Sequence, residues 1–123
     1  MENANLRVAG AILAFAQSEK LKSALISIAQ ALQILPALVP EERVGAEKVI
    51  RLFLGMAMQE ISLAKRVAEG LDWNELEALH ERALVMIDSG VAQEASVLLA
   101  RAISLATTAG QRAMIFLRDQ HLL

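Results

Sequence analysis

Residues 40–70, PEERVGAEKVIRLFLGMAMQEISLAKRVAEG, carry the longest uninterrupted helical pattern in the chain, with a stop signal at each end. Pro40 suits the first turn of a helix, where a missing N–H costs nothing. Glu41 and Glu42 complement the positive end of the helix dipole. Gly70 suits the C′ position that closes the helix. On a wheel of about 100° per residue, Glu47, Lys48, Arg51, Gln59, Ser62, Lys65, Arg66 and Glu69 share an arc of roughly 120° with Gly55 and Met58. The rest of the circumference carries Val49, Ile50, Leu52, Phe53, Met56, Ala57, Ile61, Leu63, Ala64, Val67 and Ala68. A helix lying on one side of a small domain has a narrower apolar stripe. This one therefore reads as central, touching several helices or a second subunit. Glu60 falls in the middle of its apolar arc, flanked by Val49, Phe53, Ala64 and Val67.

The segments on either side read as helices too. Residues 4–17 place Val8, Ala9, Ile12, Leu13, Phe15 and Ala16 on one face. Residues 19–35 align Leu21, Leu25, Ile28, Leu32 and Leu35, with Lys22, Ser23, Ser27, Gln30 and Gln33 opposite. On one continuous helix these two faces point roughly 160° apart. The simplest resolution is a break between Gln17 and Lys20 with Ser18 as N-cap. The alternative is one long helix whose N-terminal half packs on another subunit. Both make residues 4–17 an element for oligomerisation or exchange. Pro36 and Pro40 punctuate the next segment, and each disfavours the α conformation in the residue before it, so Leu35 and Val39 are expected to be extended. Leu38 and Val39 are apolar for a loop, which predicts a turn packed against the core.

Downstream, Asp72-Trp73-Asn74-Glu75 has the form of a capping box. It opens a short helix over 73–88, whose inner face is Leu76, Leu79, Ala83, Met86 and Ile87. Ser89-Gly90 is a tight turn. The last helix, over 91–120, keeps one phase, and its seam is small: Ala92, Ala95, Leu99, Ala102, Ala106, Ala109, Gly110 and Ala113. Small residues permit close helix approach. Short connections make neighbours antiparallel. The fold predicted is all-α, a single-domain antiparallel bundle of four to five helices over about 4–17, 19–35, 41–70, 73–88 and 91–120.

Composition agrees. One chain of 123 residues suits one domain. Hydrophobic residues make up 55% but aromatics only 3%, and Ala, Leu and Ile favour helix over sheet. With no cysteine, disulfides and thiolate metal sites are excluded and a reducing, cytoplasmic location is expected. A net charge of −2 with interspersed signs offers no basic stripe for nucleic acid. Mean hydropathy is high, +0.42, yet the longest nearly apolar run, Val8 to Ala16, is far short of the roughly 20 residues of a membrane span. Residues 1–20 loosely imitate a signal peptide, but Glu2 stands in the would-be basic region, which favours a plain N-terminal helix.

Few motifs carry chemistry. Leu79, Ala83, Met86, Gly90, Glu94, Ala95, Leu99, Ala102 and Ile103 resemble one tetratricopeptide repeat over residues 79–105. The resemblance covers one helix pair, no second copy lies upstream, and Thr107 stands where the repeat usually closes with proline. Such repeats need about three units to bury a core, so the segment reads as a close-packed helical hairpin. Glu77-Ala78-Leu79-His80 is a Glu-x-x-His pair, which di-iron bundles use twice, with single glutamates from two other helices. Glu60 could supply one such glutamate, but Arg118 precedes His121 where a second motif would need an acid. No metal and no cofactor is therefore expected. A buried carboxylate must be paired or neutralised. For Glu60 the candidate partners are His80, an arginine of a neighbouring helix, or groups across a dimer interface. Two readings of function are open. The first is a non-enzymatic bundle that self-associates, as a homodimer, and binds a protein partner through apolar helix faces, with Val8, Ile12, Phe15, Leu52 and Met56 as interface candidates. The second is a small-molecule-binding or enzymatic bundle with a polar pocket around Glu60, Glu77 and His80.

Overall fold

The computed structural model describes the backbone of residues 2–67 and 73–123 and the side chains of residues 7–66 and 73–123. The fold is all-α. Four helices, α1 (Glu2–Ile34), α2 (Pro40–Val67), α3 (Trp73–Asp88) and α4 (Ala95–Asp119), are supplemented by 3-10 turns at Leu35–Ala37 and Ala92–Glu94. No strand occurs among the described residues. Each helix packs on its neighbours in sequence, and α1 closes the bundle against α4.

The break anticipated between Gln17 and Lys20 does not exist. Residues 2–34 form one helix, so four helices replace the four to five expected. The conflict of phase is resolved by the size of the residues on the buried face. Ala14, Ser18, Leu21, Leu25, Ile28 and Leu32 are buried at alternating spacings of four and three, and Leu35 continues the series into the 3-10 turn. That is a single heptad-like seam. Its N-terminal part is small because α4 is small there: Ala106, Ala109, Gly110 and Ala113 are all buried. A Cβ added at Gly110 would lie 3.6 Å from the Ser18 Cβ, so the two backbones approach closely. Ser18 is thus a buried mid-helix contact and not an N-cap. The large residues Ile12 and Leu13 are left exposed. The N-terminal half of α1 finds its partner within the same chain, and α1 with α4 forms the most extensive interface of the bundle.

α2 is less central than its pattern suggested. Among its described side chains, only Ile50, Leu54, Ala57, Ile61 and Ala64 are buried. Val49, Leu52, Phe53, Met56 and Leu63, on the same broad apolar arc, are exposed. Its entry matches expectation. The backbone N–H of Val39 donates to Glu42 Oε1 at 3.2 Å, and the N–H of Arg43 donates to the Val39 carbonyl at 2.9 Å. This is the acidic half of a capping box, with Pro40 in the first turn. Leu35, by contrast, is not extended: it opens a 3-10 turn before Pro36, and its side chain is fully buried as the last of the α1 seam. Leu38 packs against the core whereas Val39 is exposed. Gly70 and Asp72, assigned to the end of α2 and to the capping box of α3, lie outside the described residues.

α3 ends as its sequence implies. Gly90 adopts φ +81°, its N–H donates to the Ile87 carbonyl, and the Val91 N–H donates to the Met86 carbonyl. These are the two bonds of a Schellman motif, which needs a left-handed residue at Gly90. α4 closes the same way, with His121 at φ 61° in the position glycine usually takes.

Candidate interaction surface and the buried histidine

The residues singled out for chemistry each take a different partner. Glu60, on α2, accepts a hydrogen bond from Lys20 Nζ of α1 at 3.0 Å. Its side chain is 28% exposed, so the carboxylate sits at the lip of a groove and not inside the core. Lys20 is none of the partners that the sequence suggests. Nothing local announces it, since the pair is separated by 40 positions in the chain. Glu77 turns outward to Lys65 at 3.3 Å. His80 is fully buried. Its Nδ1 lies 3.0 Å from the Leu76 carbonyl. A carbonyl only accepts, so Nδ1 carries the proton and Nε2 is left bare. Nε2 is buried with no hydrogen-bond partner among the described residues. Burial holds the pKa of His80 below the ordinary imidazole value, and the bond to Leu76 opposes this more weakly. The imidazole is therefore neutral at pH 7. No group of three or more His, Cys, Asp or Glu able to hold a metal occurs among the described residues.

Ion pairs stitch three of the four helix contacts. Lys20–Glu60 joins α1 to α2, Arg51–Asp88 at 2.7 Å and Lys65–Glu77 join α2 to α3, and Arg101–Glu75 at 3.1 Å joins α3 to α4. All are partly exposed, and such pairs contribute about 0–1 kcal/mol each. Among the described residues no ion pair joins α1 to α4, where small-residue packing takes over.

The unusual surface is apolar. α2 carries two seams. The inner one, Ile50, Leu54, Ala57, Ile61 and Ala64, faces the core. The outer one runs Val49, Leu52, Met56, Gln59 and Leu63, spaced three, four, three and four. Leu52 is 62% exposed and Met56 53%. Beside this seam a groove of about 160 Å³ lies between α1 and α2, lined by Lys20, Leu21, Ala24, Ile28, Phe53, Met56, Ala57 and Glu60. The candidates Leu52 and Met56 thus share one face. Val8 and Phe15 are half-buried, and Phe15 packs against the core. Ile12 is exposed but points roughly 120° away from Ala24 on α1, off the α2 side. The sequence candidates therefore do not form one surface. Val49, Phe53 and Leu63 complete the face that Leu52 and Met56 begin. Their 3–4 spacing is the signal in the sequence, hidden because a second seam of the same period runs beside it.

No helix among the described residues is long and apolar enough to cross a membrane. Comparison with protein-family models, with curated proteins and with solved structures gave no match.

Proposed function

We infer that this chain is a non-enzymatic interaction protein, a cytoplasmic helical bundle that self-associates and binds a protein partner through apolar helix faces. The observation carrying this reading is the outer seam of α2. Four large apolar side chains, Val49, Leu52, Met56 and Leu63, stand about half exposed or more at heptad spacing on a rigid helix. Scattered exposed apolar residues are ordinary, but a contiguous stripe on one face marks a binding surface. The polar chemistry is dispersed instead of convergent. Glu60 and Glu77 are each held by a lysine, and His80 bonds its own helix. A catalytic or ligand pocket needs convergent polar groups.

Paired capture tests the reading. The unmodified chain and the double variant Leu52→Lys/Leu63→Lys are used as baits in the same native lysate. Both residues are exposed, so helicity by circular dichroism is expected to be unchanged. A protein retained by the first bait and lost from the second supports the proposal. Equal retention by both baits, or none by either, contradicts it.

A further inference from the structure

We propose that the cleft between the N-terminal half of α1 and the C-terminal half of α4 binds a small single-chain carboxylate, an alkyl acid whose head group pairs with arginine. This goes beyond the interaction-protein reading and uses no residue of α2.

The cleft encloses about 330 Å³, against about 160 Å³ for the groove beside α2. That is the size of a small-ligand site. α1 lines it with Arg7, Gly10 and two alanines, and α4 with Arg112, Phe116 and two more alanines. On each helix the lining positions are spaced three, one and three, which is one face of two turns. The cleft is therefore about 10 Å long at the helical rise.

Three features of the lining select the occupant. The first is the floor. Glycine, alanine and the Phe116 ring offer no carboxylate, amide or hydroxyl, so an alkyl chain fits where a sugar or a base would leave its polar groups unpaired. The second is charge. Arg7 and Arg112 are the only ionisable residues of the lining. Neither has an ion-pair partner among the described residues. A guanidinium stays charged and matches a carboxylate with two parallel N–H donors. The cleft thus calls for an anion, although the chain as a whole carries a net charge of −2. The third is Gly10. It lies inside α1, where glycine weakens a helix relative to alanine. A Cβ added there would meet no atom within 4 Å, so no close contact among the described residues requires the glycine. At Gly110, by contrast, Ser18 Cβ stands 3.6 Å from such a Cβ. What the missing Cβ of Gly10 provides is depth in the cleft.

Octanoate is the probe, because its extended chain is about as long as the cleft. Octylammonium is the same chain with the opposite charge. The net charge of −2 favours the cation at any nonspecific apolar patch, so a preference for the anion has to come from the two arginines. By isothermal titration calorimetry, octanoate is expected to saturate one site with a Kd below about 1 mM, and octylammonium to bind at least about tenfold more weakly. Arg7→Gln/Arg112→Gln, at two exposed positions, is expected to weaken octanoate at least about tenfold. Gly10→Leu fills the cleft and is expected to abolish binding with helicity unchanged. Leu52→Gln/Leu63→Gln, on the α2 face, is expected to leave the Kd as it is.

Failure of octanoate to saturate at several millimolar overturns the site, and so does equal binding of the two probes. Full binding by either the arginine variant or Gly10→Leu overturns it as well. Loss of binding in the α2 variant places the chain on α2 and overturns it too. None of these results bears on the paired capture, which tests α2 alone.

Discussion

His80 is where one side chain has the clearest consequence. Its ring is buried and neutral, with Nδ1–H on the Leu76 carbonyl and Nε2 without a partner among the described residues. In the unfolded chain the same imidazole takes up a proton near pH 6.5. The unfolded state therefore binds more protons than the folded state below that pH, and stability falls as pH falls through 6.5 toward the lower, folded pKa. Above 6.5 the ring is neutral in both states and contributes no slope. Between pH 7.5 and 5.5 we expect urea unfolding to report a loss of stability of at most about 1.4 kcal/mol per pH unit below 6.5. His80→Leu removes the bare nitrogen at similar volume and should flatten that slope, while the exposed His121 is retained. A slope unchanged by His80→Leu would place the titrating group elsewhere. The sequence marks His80 as half of a Glu-x-x-His pair and as a candidate partner of Glu60. Its complete burial depends on which neighbours pack around it, which a wheel does not give. The same holds for Glu60: its place on the apolar arc was legible, but its partner Lys20 belongs to another helix.

Among the elements, α2, α3 and the turn at Ser89-Gly90 were the most legible, because proline, acidic first-turn residues and a left-handed glycine act locally. α1 was not. Its large apolar side chains change face midway, and reading size as burial forces a break. The folded helix instead turns small residues toward α4: Ala14 and Ser18 are buried, Gly10 and Ala11 are half-buried, and Ile12 and Leu13 stay outside. Close backbone approach outweighs the burial of two larger side chains because all other positions of α1 keep one seam. This has a direct test. Ala106→Leu places a larger group where α4 is fully buried and is expected to cost about 1–3 kcal/mol in urea unfolding. Gly110→Ala meets Glu19 Oε1 at 3.5 Å and Ser18 Cβ at 3.6 Å, ordinary contacts, and is expected to be neutral or to stabilise by up to about 1 kcal/mol through helix propensity. If Ala106→Leu were harmless, α1 and α4 would not be in the close contact described.

For the whole molecule, the question is where the apolar surplus goes. The sequence holds more large apolar residues than one bundle covers, and this much was legible from the breadth of the α2 arc. It assigned part of the surplus to residues 4–17, whereas the bundle uses a small-residue face of that segment internally and concentrates exposed side chains of useful spacing on α2. The four helices close into a ring, α1 on α4, and the exposed apolar stripe lies on the outer face of α2.

Sedimentation equilibrium of the unmodified chain over a range of concentrations bears on this without any substitution. Self-association through the exposed α2 face predicts a species near twice 13.3 kDa that dissociates reversibly on dilution. A mass of one chain at every concentration would contradict it.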